Sequence, residues 1–208
     1  MSHKSRTLIR GLALAGVSSV AIAGAAAPAQ AASKTLNYSC TYPYVDVQPL
    51  SAAIEAAIPD TIASGTASPA YDISAVATAG GDTSVAVATI GAKTIEGVTN
   101  AKSTVNATGQ TVPLDVPITV PQQAVAPSGD LIINAAGSTP SITLTSPGPA
   151  TITVDSIALN LTARNSSGTA ITLPPVVAQD SDGDPSTFDV PCTTDAGQDT
   201  TLASVNVT

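Results

Sequence analysis

The chain has 208 residues, 43% of them hydrophobic, 11% charged and 2% aromatic, with a mean hydropathy of +0.29. That length can bury a sizeable core, and that hydropathy excludes a solvated disordered chain. A net charge of -8 and a pI of about 4.2 exclude nucleic acid as a partner, because phosphate binding needs clustered Lys and Arg.

The N-terminus reads as an export signal. His3, Lys4, Arg6 and Arg10 make a basic start, Gly11 to Ala27 carry no charge, and Ala29-Gln30-Ala31 offers the small-x-small pattern of a signal-peptidase site. Residues 1–31 are therefore expected to be cleaved, leaving 32–208. The competing reading, a membrane anchor, is opposed by the Ala, Gly and Ser content of the stretch, which is weakly hydrophobic for a span. In 32–208 four basic residues (Lys34, Lys93, Lys102 and Arg164) stand against fifteen acidic ones, a net charge of -11, and histidine and methionine are gone. No second hydrophobic span follows, so the expected location is secreted, extracellular or held non-covalently at the cell surface.

Tyr38, Tyr42 and Tyr44 come next. Alternation puts all three on one face if 38–44 is a continuous strand, where they are either a glycan or protein contact or part of the core. Pro43 is positioned to interrupt that strand. Cys40 and Cys192 are the only cysteines, and an even count in an exported chain reads as a disulfide. It closes a 153-residue loop, for which chain entropy gives about 5 kcal/mol at most. Such a bridge draws the two ends of the mature chain together and favours one domain.

Leu50 to Ile58 suits a short helix capped by Ser51, but Ala52, Ile54 and Ala56 also alternate, and the strand is the preferred reading. Ser84-Val85-Ala86-Val87-Ala88 alternates in the same way after the turn signal Gly80-Gly81-Asp82. Residues 112–127 hold Pro113, Pro117, Pro121 and Pro127, with Leu114, Val116, Ile118 and Val120 alternating between them. An edge strand is expected there, the alternative being a junction between two small β domains. Ser141 to Thr145, Thr151 to Val154, Leu159 to Thr162 and Val205 to Thr208 complete the set of strands. Short alternating strands with regular turn punctuation predict an all-β chain, specifically an immunoglobulin-like β-sandwich closed by Cys40–Cys192.

Four segments carry a likeness to a known group. Leu36-Asn37-Tyr38-Ser39-Cys40 with Pro43, Ile90 to Gly97, and Phe188-Asp189-Val190-Pro191-Cys192 with Thr201 to Ser204 resemble exported actinobacterial all-β proteins of unknown function. The resemblance implies an extracellular all-β domain with paired terminal cysteines and supplies no activity. The acidic segment 180–184 lies outside it.

Catalysis lacks its usual parts. Ser and Cys nucleophiles need a base, and 32–208 has no histidine and no strained Gly-x-Ser-x-Gly elbow. Asp180, Asp182 and Asp184 alternate and are the candidate cation ligands, with calcium the possible cofactor. An EF-hand loop would need Gly and Glu where Pro185 and Pro191 stand. The bland alternative is a solvated acidic loop. Aromatic girdles of the kind a membrane pore carries are also missing.

The expectation is a non-catalytic secreted module of the cell envelope or extracellular matrix, structural or adhesive, meeting cell-wall material or an extracellular protein. A soluble binder of a protein or glycan is the alternative, for example a protease inhibitor using the loop from Pro185 to Pro191. A hydrolase working with carboxylates alone comes last.

Overall fold

The computed structural model describes residues 30–173 and 183–208. Residues 1–29 of the expected signal peptide, and Asp180 and Asp182 of the expected cation loop, lie outside the described residues. The elements are β1 (Gln30–Tyr42), β2 (Asp46–Ile58), β3 (Thr61–Ile62), β4 (Asp72–Ala79), α1 (Gly81–Thr89), β5 (Thr94–Ala107), β6 (Gln110–Ala124), β7 (Leu131–Ser138), β8 (Gly148–Arg164), β9 (Phe188–Thr194) and β10 (Thr201–Val207).

The expected sandwich is not what forms. One sheet runs β8-β5-β6-β7-β4-β2-β1-β9, and β9 pairs back onto β8, so eight strands close into an antiparallel barrel. Period-two alternation gives each strand one buried and one solvated face, which a sandwich and a barrel share. The last pairing decides between them. β5 lines one edge of β8 along nearly its whole length, while the other edge takes β10 at 148–153 and β9 at 156–161. The two C-terminal strands thus lie end to end on one long strand. Only β9 continues round to β1, and β3 adds to β10 in parallel outside the ring.

Burial follows the alternation. On β2, Leu50, Ala52, Ile54, Ala56 and Ile58 are buried and the residues between them are not, so the strand reading of this segment holds. On β1, Leu36, Tyr38, Cys40 and Tyr42 face inward. The outer wall carries Asn100, Lys102 and Asn106 on β5, Asp115 and Thr119 on β6, and Thr151 and Asp155 on β8. Apolar inside and polar outside is the reverse of a lipid-facing barrel.

Two further expectations are corrected. Ser84 to Ala88 is helical, not extended, and lies in α1. β4 and β5 are not neighbours in the ring, so the chain must cross one end of the barrel between them. A helix that buries Thr83, Ser84 and Val87 accomplishes this, and tertiary packing overrides the β preference of the valines. Ser141 to Thr145 is likewise not a strand. The segment from 139 to 147 crosses the opposite end of the barrel, with a single bridge from Thr143 to Ala67, and Leu144 is fully buried there.

The prolines of β6 explain its neighbours. A Cβ on Gly137 of β7 would sit 2.7 Å from the carbonyl oxygen of Pro117, so the polar edge of Pro117 faces β7. Pro113 has the same parity, and Pro121 falls where the β5–β6 register shifts. The β7-facing edge of β6 therefore lacks N–H donors at 113 and 117, and the β6–β7 ladder shrinks to two pairs, Ile118↔Gly137 and Thr119↔Ala136. β5 pairs with β6 from Thr94↔Ala124 to Ala107↔Gln110. A strand forms where the sequence suggested one, at Gln110–Ala124, but it is not an edge strand: β5 pairs along one side and β7 at two positions along the other.

Candidate functional site

The barrel is not filled. A cavity of about 90 Å³ lies inside it, lined from β2 to β8 and by Leu202 of β10. Inward positions that hold Ile, Leu or Val elsewhere hold Ala52, Ala75, Ala77, Ala101 and Ala135 here, and the missing side-chain volume leaves the space. Ala101 on β5 and Ala52 on β2 come from strands four places apart in the ring, hence from opposite walls. An eight-stranded barrel is at the size where side chains either fill the interior or leave room for one small ligand.

Among the described residues, no charged side chain lines the cavity. The polar ones are Ser68, Tyr71, Thr99, Ser103 and Thr139. Ser103 donates its hydroxyl to the carbonyl of Thr153 at 2.6 Å, which satisfies it within the wall. Ser68, Tyr71 and Thr139 gather at the end crossed by 139–147. The Tyr71 N–H donates to Thr139 Oγ1 at 3.0 Å and the Thr139 N–H to the Tyr71 carbonyl at 2.9 Å, which ties the start of β4 to the end of β7. Ser68 Oγ accepts from the Ile142 N–H at 3.1 Å, and the Ser68 N–H donates to the Ile142 carbonyl at 2.7 Å. Burial raises the Tyr71 phenol above its usual range, so it stays a neutral donor.

The residues singled out from the sequence fall elsewhere. Tyr38 and Tyr42 are buried at 0% and 3% exposure in the other half of the barrel, on either side of the disulfide. Desolvation pushes Tyr38 up to about 12, with the Asp155 charge adding to it, and burial raises Tyr42 further. Tyr44 is not on their strand. β1 stops at Tyr42, Pro43 begins the turn, and Tyr44 adopts a φ of 69° with 52% exposure. Tyr42 and Tyr44 both border a small pocket of about 10 Å³ beside Thr83 and Val87 of α1.

Cys40 and Cys192 are bonded, and they face each other directly across the β1–β9 ladder. Asp184 closes a local turn, its Oδ1 accepting from the N–H and hydroxyl of Ser186 at 2.9 and 2.7 Å. Among the described residues no group of three or more His, Cys, Asp or Glu is placed to hold a metal ion.

A model for a family of unknown function, DUF6801, matches residues 37–203, from Asn37 on β1 to Ala203 on β10. The chain belongs to that family. The DUF6801 match spans every strand of the ring, both cysteines and all the lining residues of the cavity. Comparison with curated proteins and with solved structures finds no match.

Proposed function

We propose that this protein is a non-catalytic binding module that works outside the cytoplasm and takes a small apolar molecule into its barrel. The observation that carries this reading is the alanine-lined cavity, whose described lining residues are all uncharged. Small-molecule sites are concave, mostly apolar and furnished with a few placed polar groups. An apolar void of about 150 Å³ is enough to bind benzene, so a 90 Å³ space suits a slimmer group, such as the end of an aliphatic chain. The buried disulfide supports an oxidising compartment, in keeping with the export reading of residues 1–31.

This narrows the sequence expectation of a soluble extracellular binder to a small ligand in place of a protein or glycan. An adhesion module of the envelope is the second reading. It is favoured by Val76 on β4 and Ile132 on β7, which are 44% and 43% exposed on neighbouring strands of the outer wall.

The test is a methyl NMR titration of the oxidised protein with n-butane, an apolar probe slim enough for the space, with Ala101→Leu as the filled-cavity control. Saturable probe binding that A101L abolishes without loss of folding supports the carrier reading. Binding unaffected by A101L places the probe on the outer wall and removes it.

A further inference from the structure

One length of the barrel wall has no hydrogen bonds across it. Beyond the Ile118↔Gly137 pair the chain leaves the line of β7, and residues 139–142 bond away from β6. The Thr139 N–H donates to the Tyr71 carbonyl at 2.9 Å, the Ile142 N–H to Ser68 Oγ at 3.1 Å and the Ser141 hydroxyl to the Ser68 carbonyl at 2.5 Å. Among the described residues, none of 139–142 hydrogen-bonds to β6. Pro113 and Pro117 take two donors from that side of β6. The next tie is Gln110, which donates to the Thr143 carbonyl and accepts from the Thr145 N–H. A slot therefore runs between 112–116 and 139–142.

The cavity lies behind this slot. Leu114 and Val116 on one border, and Thr139, Pro140 and Ile142 on the other, all line it. Leu114 shares the inward register of the buried Val116 and Ile118, yet it is only half-buried, as are Thr139, Pro140 and Ile142, so solvent reaches the lining here. Leu202 on β10 is half-buried as well, but the approach to that strand is tied to β1 by Lys34–Asp199 and by the Gln198 amide on Asn37. Thr111, Ser141 and Thr143 stand exposed on the two borders of the slot and carry hydroxyls.

An apolar space of about 150 Å³ takes the six carbons of benzene, so about 90 Å³ takes roughly three or four. A space that small with an opening in its side suits the end of a chain better than a whole molecule. Resting on the carrier reading above, we infer that the cavity is a tail site entered sideways, and that its ligand class is an amphiphile with a slim, unbranched alkyl end. The last carbons pass between β6 and 139–142, and the polar head stays outside, against the hydroxyls of the borders.

The experiment is an NMR titration of the oxidised wild-type protein with n-butane, n-butyl glucoside, tert-butyl glucoside and methyl glucoside. The n-butane and the n-butyl glucoside are both expected to shift the Ala101 and Ala135 methyls saturably. The n-butyl glucoside should also shift the amides of 112–116 and 139–142. The branched tail should bind at least about tenfold more weakly, because it overpacks the space, and the head alone should leave the methyls unmoved. If n-butane binds and n-butyl glucoside leaves Ala101 unshifted, the space is enclosed, which overturns the inference and leaves the carrier reading standing. Head-dependent shifts at Leu202 and β1 in place of the slot overturn it too, as do equal affinities for the two butyl glucosides. If n-butane itself does not bind, the carrier reading fails and the tail site fails with it.

Discussion

Gln198 sets both ends of its side-chain amide on the backbone of Asn37, with Oε1 accepting from the N–H at 3.0 Å and Nε2 donating to the carbonyl at 2.6 Å. Asn37 lies on β1, just below the three-pair β1–β9 ladder that joins the ends of the sheet. The amide imitates a strand partner where the ladder stops. Gln123 does the same at the short β6–β7 seam, accepting from the Asn134 N–H at 3.0 Å and reaching its carbonyl at 3.4 Å. Gln110 does so on the end-crossing segment, accepting from the Thr145 N–H at 2.9 Å and donating to the Thr143 carbonyl at 3.2 Å. Three glutamines thus close places where backbone pairing gives out.

Gln198→Ala is expected to cost about 1–2 kcal/mol, since it removes three modest hydrogen bonds at a partly solvated seam, the third from Nε2 to the Asp195 carbonyl at 3.2 Å. Gln123→Ala should cost somewhat less, since its second bond is long. The seams are on different strands and share no partners, so the double variant should be additive. Urea unfolding of the two singles and the double measures all three values.

The disulfide works at the first of these seams. With only Tyr38↔Thr194, Ser39↔Thr193 and Cys40↔Cys192 holding β9 to β1, the covalent bond does what a longer ladder does elsewhere in the ring. Replacing both cysteines with alanine should lower stability by about 2–5 kcal/mol. The urea midpoint of that variant should match the reduced wild-type protein, and equal midpoints for oxidised and reduced protein would contradict this.

Acid should loosen the same region. Lys34 Nζ binds Asp199 Oδ2 at 2.7 Å across the gap between β1 and β10, and the Thr201 N–H donates to the other oxygen at 3.0 Å. The Lys34 bond first, and then Thr201, hold the Asp199 carboxyl down from 3.8 to about 2. A carboxyl held low in the fold stabilises it above its unfolded value, and that contribution fades as pH falls from about 4 through 2. The pair is exposed, so the effect should be small and weakened by salt. Thermal midpoints of wild type and Asp199→Asn should therefore differ at pH 6 and converge at pH 2.

What the sequence disclosed and what it withheld divide along physical lines. The inward face of β2, the proline-bearing side of β6, the burial of Tyr38 and Tyr42 and the pairing of the cysteines follow from local alternation, a missing N–H, size and count. Barrel closure does not. It depends on β9 finding β8 and β1 at once, and no local pattern distinguishes that from a second sheet. α1 was hidden by Val85 and Val87, whose spacing fits a strand until the chain has to cross the barrel end. Ser68, Tyr71 and Thr139 are ordinary residues until the topology gathers them. The available signal for the cavity was alanine at inward positions 52, 75, 77, 101 and 135, among larger aliphatics on the same strands.

A close backbone approach at the shortest seam of the ring offers a sharp test of the barrel. Gly137 sits in the two-pair β6–β7 ladder, and an added Cβ would meet the Pro117 carbonyl oxygen at 2.7 Å and Ile118 Cα at 3.1 Å. Both are backbone atoms on a strand that β5 holds in long register, so neither can swing aside as a flexible side chain would. The added methyl must push β7 away from β6. Gly137→Ala should therefore cost about 1–3 kcal/mol, the range for overpacking a tight contact. The loss should be local, with amides of 131–138 exchanging faster and those of β5 and β8 unchanged. Because Ile118 and Ala135 line the cavity on either side of this seam, the apolar probe should also enter and leave faster. A stable Gly137→Ala variant with unaltered exchange on β7 would mean that the two strands do not meet at this distance.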